Sequence, residues 1–313
     1  MTDAAQITAA GPAAEAPPAG RRQQGLWLVL GAGLLALLLG TYWPVVRSLW
    51  SDWQNNQNYS VGQLVPLAAL WLVWRERRHL RACRLQPCWI WGLALLVAAQ
   101  MVRERGLLDL RESVERYALV MTLWGLVLLV AGAQVFRRLA WALLFLLLMV
   151  PLPQMVDSRV SYPLQSLATR GAVFMLEISG ITVSSSGNVI VLNEKTSLEV
   201  AEACSGLRML TAFVVVAAVL AYIVARPRWQ KAALLASSVP VAIACNLVRL
   251  YATALLYMWT SREAAERFFH DFAGYAMMPI AIALLMGELW LFKRIVTPDD
   301  APAAPAPPGG PAE

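Results

Sequence analysis

Eight separate apolar runs are the feature of this sequence that most restricts its fold. They lie at residues 25–43, 60–74, 88–102, 117–135, 139–153, 207–224, 232–256 and 272–292. A helix needs about 20 apolar residues to cross a hydrocarbon core of about 30 Å, with a lower limit near 17. The second, third and fifth runs are short, so their helices have to include polar residues or shelter inside a bundle. The runs predict an all-α polytopic membrane protein with about eight transmembrane helices.

The charge content excludes an ordinary soluble domain. Of the 313 residues, 58% are apolar and only 15% are charged, whereas soluble domains have roughly 25% charged residues. The net charge of +6 does not indicate nucleic-acid binding, because the basic residues occur as short clusters at the ends of apolar runs. We therefore expect membrane lipids, and no nucleic acid, among the partners.

Five basic clusters predict the orientation of the chain. They are Arg21/Arg22, Arg75/Arg77/Arg78/Arg81/Arg84, Arg137/Arg138, Arg226/Arg228/Lys231 and Lys293/Arg294. The clusters fall at alternate loops, so eight spans would place them all on one side, which the positive-inside rule assigns to the cytoplasm. This predicts an inner-membrane protein with both ends in the cytoplasm. The loop at 103–116 is the exception, with four arginines among four acidic residues.

The regions outside the apolar runs divide the chain further. Residues 1–20 and 296–313 are rich in Ala and Pro and are predicted to be disordered tails on one membrane domain at 21–295. Residues 154–203 are predicted to lie on the periplasmic side. Within them, 162–178 predicts an interfacial helix. Short β-prone runs at 181–183, 189–192 and 198–200, separated by turn compositions, predict a small β-meander.

The cysteine and histidine content argues against disulfide and metal chemistry. Four cysteines are too few and too scattered for a disulfide framework, no CxxC pair occurs, and two histidines cannot build a metal cage with them. Cys83 and Cys88 fall in a predicted cytoplasmic loop, where thiols stay reduced. Cys245 has the pattern of a small core residue. We expect no cofactor and no metal.

Cys204 stands apart from the other cysteines because polar residues surround it at a predicted helix start. Its neighbours include Glu202, Ser205, Gly206 and Arg208. A helix N-terminus and a nearby cation favour the thiolate, which is the nucleophilic form of a cysteine.

Two further polar residues fall at the same predicted depth as Cys204. An arginine inside an apolar span costs at least about 2.5 kcal/mol, so Arg249 is expected to be paired, solvated in a cavity or functional. The alternative is that its side chain extends to the outer surface. His270 is the one histidine on the predicted outer side, so it is the one imidazole available there as a base.

These residues resemble the signature of the exosortase/archaeosortase family. The resemblance rests on the sequence Glu-Ala-Cys-Ser-Gly-Leu-Arg at 202–208, on Asn246-x-x-Arg249, and on His270-Asp271 just before Ala273-Gly274. Tyr-Ser-Val-Gly at 59–62 and Met-Val-Pro-Leu-Pro at 149–153 also resemble spans of that family. Family members commonly carry His where this chain has Val61. The resemblance covers roughly residues 25–295.

The resemblance implies a membrane cysteine protease or transpeptidase analogous to sortase. Such an enzyme would cleave a PEP-CTERM-like sorting signal, which is a Pro-Glu-Pro motif, an apolar helix and a basic tail, at the periplasmic face. Its partners would be exported proteins and a glycan or lipid acceptor, in a setting of exopolysaccharide or surface-protein sorting. The resemblance makes Cys204 the nucleophile, His270 the general acid/base, and Arg249 the oxyanion stabiliser or thiolate partner. Glu202 and Asp271 are candidates to orient His270.

Two alternatives stay open from the sequence. A transporter or flippase would have charges along a full pathway and often internal repeats, whereas the sequence places intramembrane charge in the outer half and has no clear repeat. The segment 181–200 either presents an open strand edge to the sorting motif or acts as a lid that excludes water. If the edge pairs with the motif, a photoreactive residue at Val189 or Ile190 should capture the tail of the substrate. Hydrolysis and transpeptidation are equally compatible with the sequence.

Overall fold

The computed structural model describes residues 21–83, 85–109, 111–192, 196–199, 206–260 and 273–295. Of these residues 85% are helical, which confirms the all-α class. The α-helices are α1 Arg21–Thr41, α2 Trp43–Asn55, α3 Leu64–Ala82, α4 Trp89–Leu108, α5 Glu112–Val130, α6 Gly132–Phe145, α7 Gln154–Ile178, α8 Leu207–Ile223, α9 Arg228–Trp259 and α10 Ala273–Ile295. Two 3₁₀ helices, η1 Gln57–Gln63 and η2 Leu146–Met149, and three strands, β1 Val183–Ser186, β2 Val189–Leu192 and β3 Thr196–Glu199, complete the described part.

Every predicted apolar run overlaps at least one helix, but fewer helices than eight meet the requirements for a span by themselves. Three are long and apolar enough to cross a membrane: α5, α6 together with η2, and α9. A fourth is the pair of α1 and α2, which are bent by 67° relative to each other. Helix α8 is apolar but has only 17 residues, and α3 ends in a charged sequence. These findings support a membrane protein with three such helices, or four, in the described part.

Helix ends that carry basic clusters lie together at one end of the bundle, which we call the basic end. The hydroxyl of Tyr222, at the end of α8, donates a hydrogen bond of 2.5 Å to Glu76 near the end of α3. Trp229, at the start of α9, packs against Phe292 at the end of α10, with ring centroids 6.0 Å apart. The start of α6 packs against the end of α3 in a cluster that includes Leu80. Four of the five predicted basic clusters therefore lie at this end.

The segment 103–116, which was predicted to be a loop and is the exception to the alternation of basic clusters, is mostly helical. Only residues 109–111 separate α4 from α5, and Arg116 lies within α5 with 4% of its surface exposed. Its guanidinium donates to Asp52 at 2.6 Å and to Glu112 at 2.5 Å. Two carboxylates neutralise this buried cation. Arg116 therefore carries little weight when basic residues are counted to assign the orientation of the chain in the membrane.

The β-meander is confirmed, with boundaries that differ from the prediction. The strand order is β1-β2-β3 and both pairs are antiparallel. The predicted turn at 184–188 shortens to Gly187-Asn188, because Ser186 pairs with Val189 and Gly187 supplies a φ of +61°. Val189 and Ile190, the positions at which a cross-linker should capture the sorting motif, lie on β2, which is paired on both sides. The edges of the sheet are β1 and β3.

Helix α7 begins eight residues earlier than the predicted helix at 162–178. It starts at Gln154 directly after Pro153, and Asp157 lies in its first turn, where a carboxylate interacts favourably with the helix dipole. The meander packs on this helix through Ile190 and Leu192, which are buried together with Leu176. Helix α7 thus connects the sheet to the bundle.

Candidate active site

A buried polar row on α9 forms the centre of the candidate site. Asn246, Arg249 and Thr253 follow one another at about one helical turn, with exposed fractions of 2%, 7% and 1%. The hydroxyl of Thr253 donates to the carbonyl of Arg249 at 2.8 Å. Arg249 is enclosed by protein and has an interaction partner. This burial argues against the alternative in which its side chain extends to the outer surface.

The start of α8 lies against this polar row. Gly206 precedes the helix with a φ of +86°, and its carbonyl accepts a hydrogen bond from the backbone N–H of Leu210 at 2.8 Å. A Cβ at position 206 would lie 2.9 Å from Nδ2 of Asn246. Only glycine allows both this backbone conformation and this close approach. The structure therefore brings together Gly206 and Asn246, two of the predicted site residues.

Replacing Gly206 by alanine should destabilise the protein. The new Cβ would be strained by the positive φ, at a cost of about 1–2 kcal/mol, and would also displace the side chain of Asn246. Gly180 is the matched control, because it has a φ of +79° but a Cβ added there would meet no atom within 4 Å. Thermal unfolding in detergent should show a larger fall in Tm for Gly206→Ala than for Gly180→Ala. Equal falls would mean that the contact with Asn246 has no effect.

A third element, η1, contacts the second turn of α8 and the first turn of α7. The hydroxyl of Thr211 lies 3.3 Å from the carbonyl oxygen of Asn58 and 2.9 Å from that of Arg208, and it can donate to either. The hydroxyl of Tyr59 donates to Asp157 at 2.5 Å. Burial, together with this hydrogen bond, raises the pKa of the Tyr59 phenol above its ordinary value. Tyr59 is therefore a neutral donor that fixes η1 against α7.

A second buried polar row, on α7, was missed from the sequence. Ser161, Gln165 and Thr169 have exposed fractions of 8%, 7% and 2%, and Thr169 donates to the carbonyl of Gln165 at 2.9 Å. Ala168 and Ala172, on the same face, pack in a cluster with residues of α9. These three polar residues are four positions apart in the sequence, which places them on one face of a helix. That spacing was the signal that could have revealed this row. The two polar rows thus lie on helices that pack against each other.

Several predicted residues lie outside the described part of the chain. They are Glu202, Cys204, Ser205, His270 and Asp271. Their positions stay predictions, as do those of the two tails. Cys83, Cys88 and Cys245 are free thiols. The described residues contain no group of three or more His, Cys, Asp or Glu side chains placed to bind a metal ion.

These features define a class of protein: a helical membrane protein with a buried polar site at the end of the bundle opposite the basic end. A family model described as transmembrane exosortase matches residues 53–287, which is most of the chain and includes positions 204, 249 and 270. The chain belongs to the transmembrane exosortase family. No curated protein and no solved structure matches it.

Proposed function

We propose that this protein is a membrane cysteine transpeptidase or protease that cleaves C-terminal sorting signals from exported proteins. The observation that carries the proposal is the buried pair of Asn246 and Arg249 beside the Gly206 turn. Cys204 precedes Gly206 by two residues, and two residues of chain span about 7 Å at most. The nucleophile that the family implies is therefore attached within about 7 Å of Gly206, which lies against Asn246, one helical turn before Arg249.

The packing of α10 supports the proposal that His270 belongs to the candidate site formed by α8 and α9. Ala281 of α10 packs in one cluster with Met209 of α8 and Ala242 of α9. Helix α10 begins at Ala273, three residues after His270, and three residues of chain span about 11 Å at most. The histidine is thus tethered to a helix that packs against the two helices of the candidate site.

The proposed reaction uses these three groups in sequence. The Cys204 thiolate attacks the scissile carbonyl, and the Arg249 guanidinium offsets the negative charge on the carbonyl oxygen. The C–N bond then breaks, His270 protonates the leaving amine, and a thioester remains on Cys204. Water or an acceptor amine releases the acyl group and restores the thiol. Arginine suits the second role because its charge is permanent and its donors are planar.

Cleavage of a model substrate tests this proposal. The full-length protein would be co-expressed with an exported reporter that ends in a Pro-Glu-Pro motif, an apolar helix and a basic tail. We expect the reporter to lose its helix and tail, as a mass change that depends on the protein. A reporter that remains intact beside folded protein would contradict the proposal. Movement of an intact lipid across the bilayer of vesicles that contain the purified protein would favour the flippase alternative.

The proposed topology has eight spans, with the candidate site at the periplasmic face of the inner membrane and the basic end in the cytoplasm. It is supported by the four basic clusters that lie together and by the match of each apolar run to a helix. A reporter fused after Pro153 should be periplasmic, and one fused after Lys293 should be cytoplasmic. Both reporters in one compartment would contradict this topology.

A further inference from the structure

A cavity near the basic end lies away from the candidate active site. It has a volume of about 520 Å³ and is lined by Gln86, Ala133, Gln134, Arg137 and Arg138. Its residues come from the segment between α3 and α4 and from the first two turns of α6. None of them belongs to the polar rows on α7 and α9, so the proposed reaction leaves this cavity without a role.

Backbone contacts hold the walls of the cavity in place. Gln86 forms a parallel β-bridge with Gly132, and the N–H of Cys88 donates to the carbonyl of Leu128 at 3.3 Å. Gly132 has a φ of +85°, and a Cβ there would overlap the carbonyl oxygen of Gln86. Residues 86–88 are therefore held against the end of α5 and the start of α6. A ligand would meet a depression that is open to the surface and whose backbone walls are already in place.

The lining of the cavity is cationic and rich in hydrogen-bond donors. Arg137 and Arg138 are exposed, and neither forms an ion pair with any residue in the described ranges. The amides of Gln86 and Gln134 add further donors, and among the residues that the structure describes no carboxylate lines the cavity. A planar guanidinium group can donate two parallel hydrogen bonds to oxygens of one phosphate. This lining therefore favours an anion that carries a phosphate.

An apolar surface next to the cavity indicates the rest of the ligand. Trp89, Ile90 and Trp91 follow Gln86 at the start of α4, with exposed fractions of 65%, 81% and 69%. Tryptophan at a membrane boundary typically lies at the level of the lipid headgroups. A ligand with a phosphate in the cavity would therefore have its hydrocarbon portion beside these side chains.

We propose that this cavity binds the phosphate headgroup of an anionic phospholipid, whose acyl chains lie along the start of α4. Basic pockets between membrane helices on the cytoplasmic side bind such headgroups in other proteins. The lipid would bridge the loop between α3 and α4 and the start of α6, and so stabilise this end of the bundle. Its binding requires no residue of the candidate active site.

The test measures lipid binding by the purified full-length protein in neutral detergent. Phosphatidylglycerol should raise the Tm in a saturable way, and phosphatidylcholine should not. The double variant Arg137→Gln/Arg138→Gln should bind phosphatidylglycerol on the order of tenfold more weakly. The matched control is Arg78→Gln/Arg81→Gln, which removes the same charge from exposed positions on α3 outside the cavity lining. The control should bind the lipid like the unaltered protein.

Two outcomes would overturn the proposal. Equal weakening in both double variants would mean that lipid binding follows overall charge and does not use the cavity. Competition by glycerol 3-phosphate at the concentrations at which the lipid binds would identify a site for soluble phosphates. Because the four arginines are exposed, each variant should fold, and its Tm without lipid verifies this.

Discussion

Replacing Cys204 by alanine is expected to abolish cleavage of the sorting signal. Without the thiolate no thioester can form, and the remaining groups can only assist a direct attack by water. Removal of a nucleophile from a catalytic set of this kind lowers the rate by at least about 10³-fold, and often by far more. Mass spectrometry of the co-expressed reporter measures the effect, and the uncleaved substrate should accumulate.

The control for this experiment is Cys245→Ala. Cys245 is a half-buried free thiol on α9 that packs beside Ala242 and Phe213. Its removal deletes one sulfur atom from a packed cluster and should leave cleavage within a few-fold of the unaltered rate. Cleavage by Cys204→Ala at a comparable rate would rule out the proposed nucleophile.

Replacing Arg249 by lysine is expected to lower the rate of cleavage by about 10²–10³-fold, which is the usual cost of losing a donor to a developing oxyanion. Lysine retains the positive charge but lacks the planar set of donors. If Arg249 acts on the transition state, kcat should fall while KM changes little. Measurement of both constants with a synthetic sorting peptide in detergent would separate these effects.

Arg170→Lys provides the matched control for the arginine substitution. Arg170 lies on α7, which packs against α9, but its side chain is exposed. The control should retain full activity. If Arg249→Lys also retained full activity, then Arg249 would be a structural residue. A loss of Tm with unchanged kcat in the surviving protein would lead to the same conclusion.

The approximate positions of most helices could be predicted from apolar composition, although the break between α5 and α6 falls inside the run 117–135. Runs such as 117–135 and 232–256 are apolar enough to indicate a helix without knowledge of its neighbours. The start of α7 could not be predicted in this way. Its first eight residues are mostly polar, and Ser161, Gln165 and Thr169 are buried only because α9 and the rest of the bundle cover them. Burial of that kind is a property of the tertiary structure.

The candidate site was predictable in part for a similar reason. The motif that contains Gly206, Asn246 and Arg249 was apparent from residue types and order, and the structure brings Gly206 and Asn246 into contact. The hydrogen bond between Tyr59 and Asp157 joins residues 98 positions apart, and no local pattern indicates it. The described sheet keeps β1 and β3 as its edges, because its second strand pairs on both sides.

The hydrophobic interior of the protein is divided into separate clusters. One cluster contains Leu176, Ile190 and Leu192 together with Leu250 and Ala254, and so unites the end of α7, the sheet and α9. The largest cluster, which includes Leu49 and Leu72, is formed by other helices. Stability in such a protein is not uniform, and a unit with its own cluster can open while the rest stays folded. Local unfolding of the α7–sheet unit would then uncover Leu250 and Ala254, next to and one turn beyond Arg249, at less cost in free energy than melting of the whole bundle.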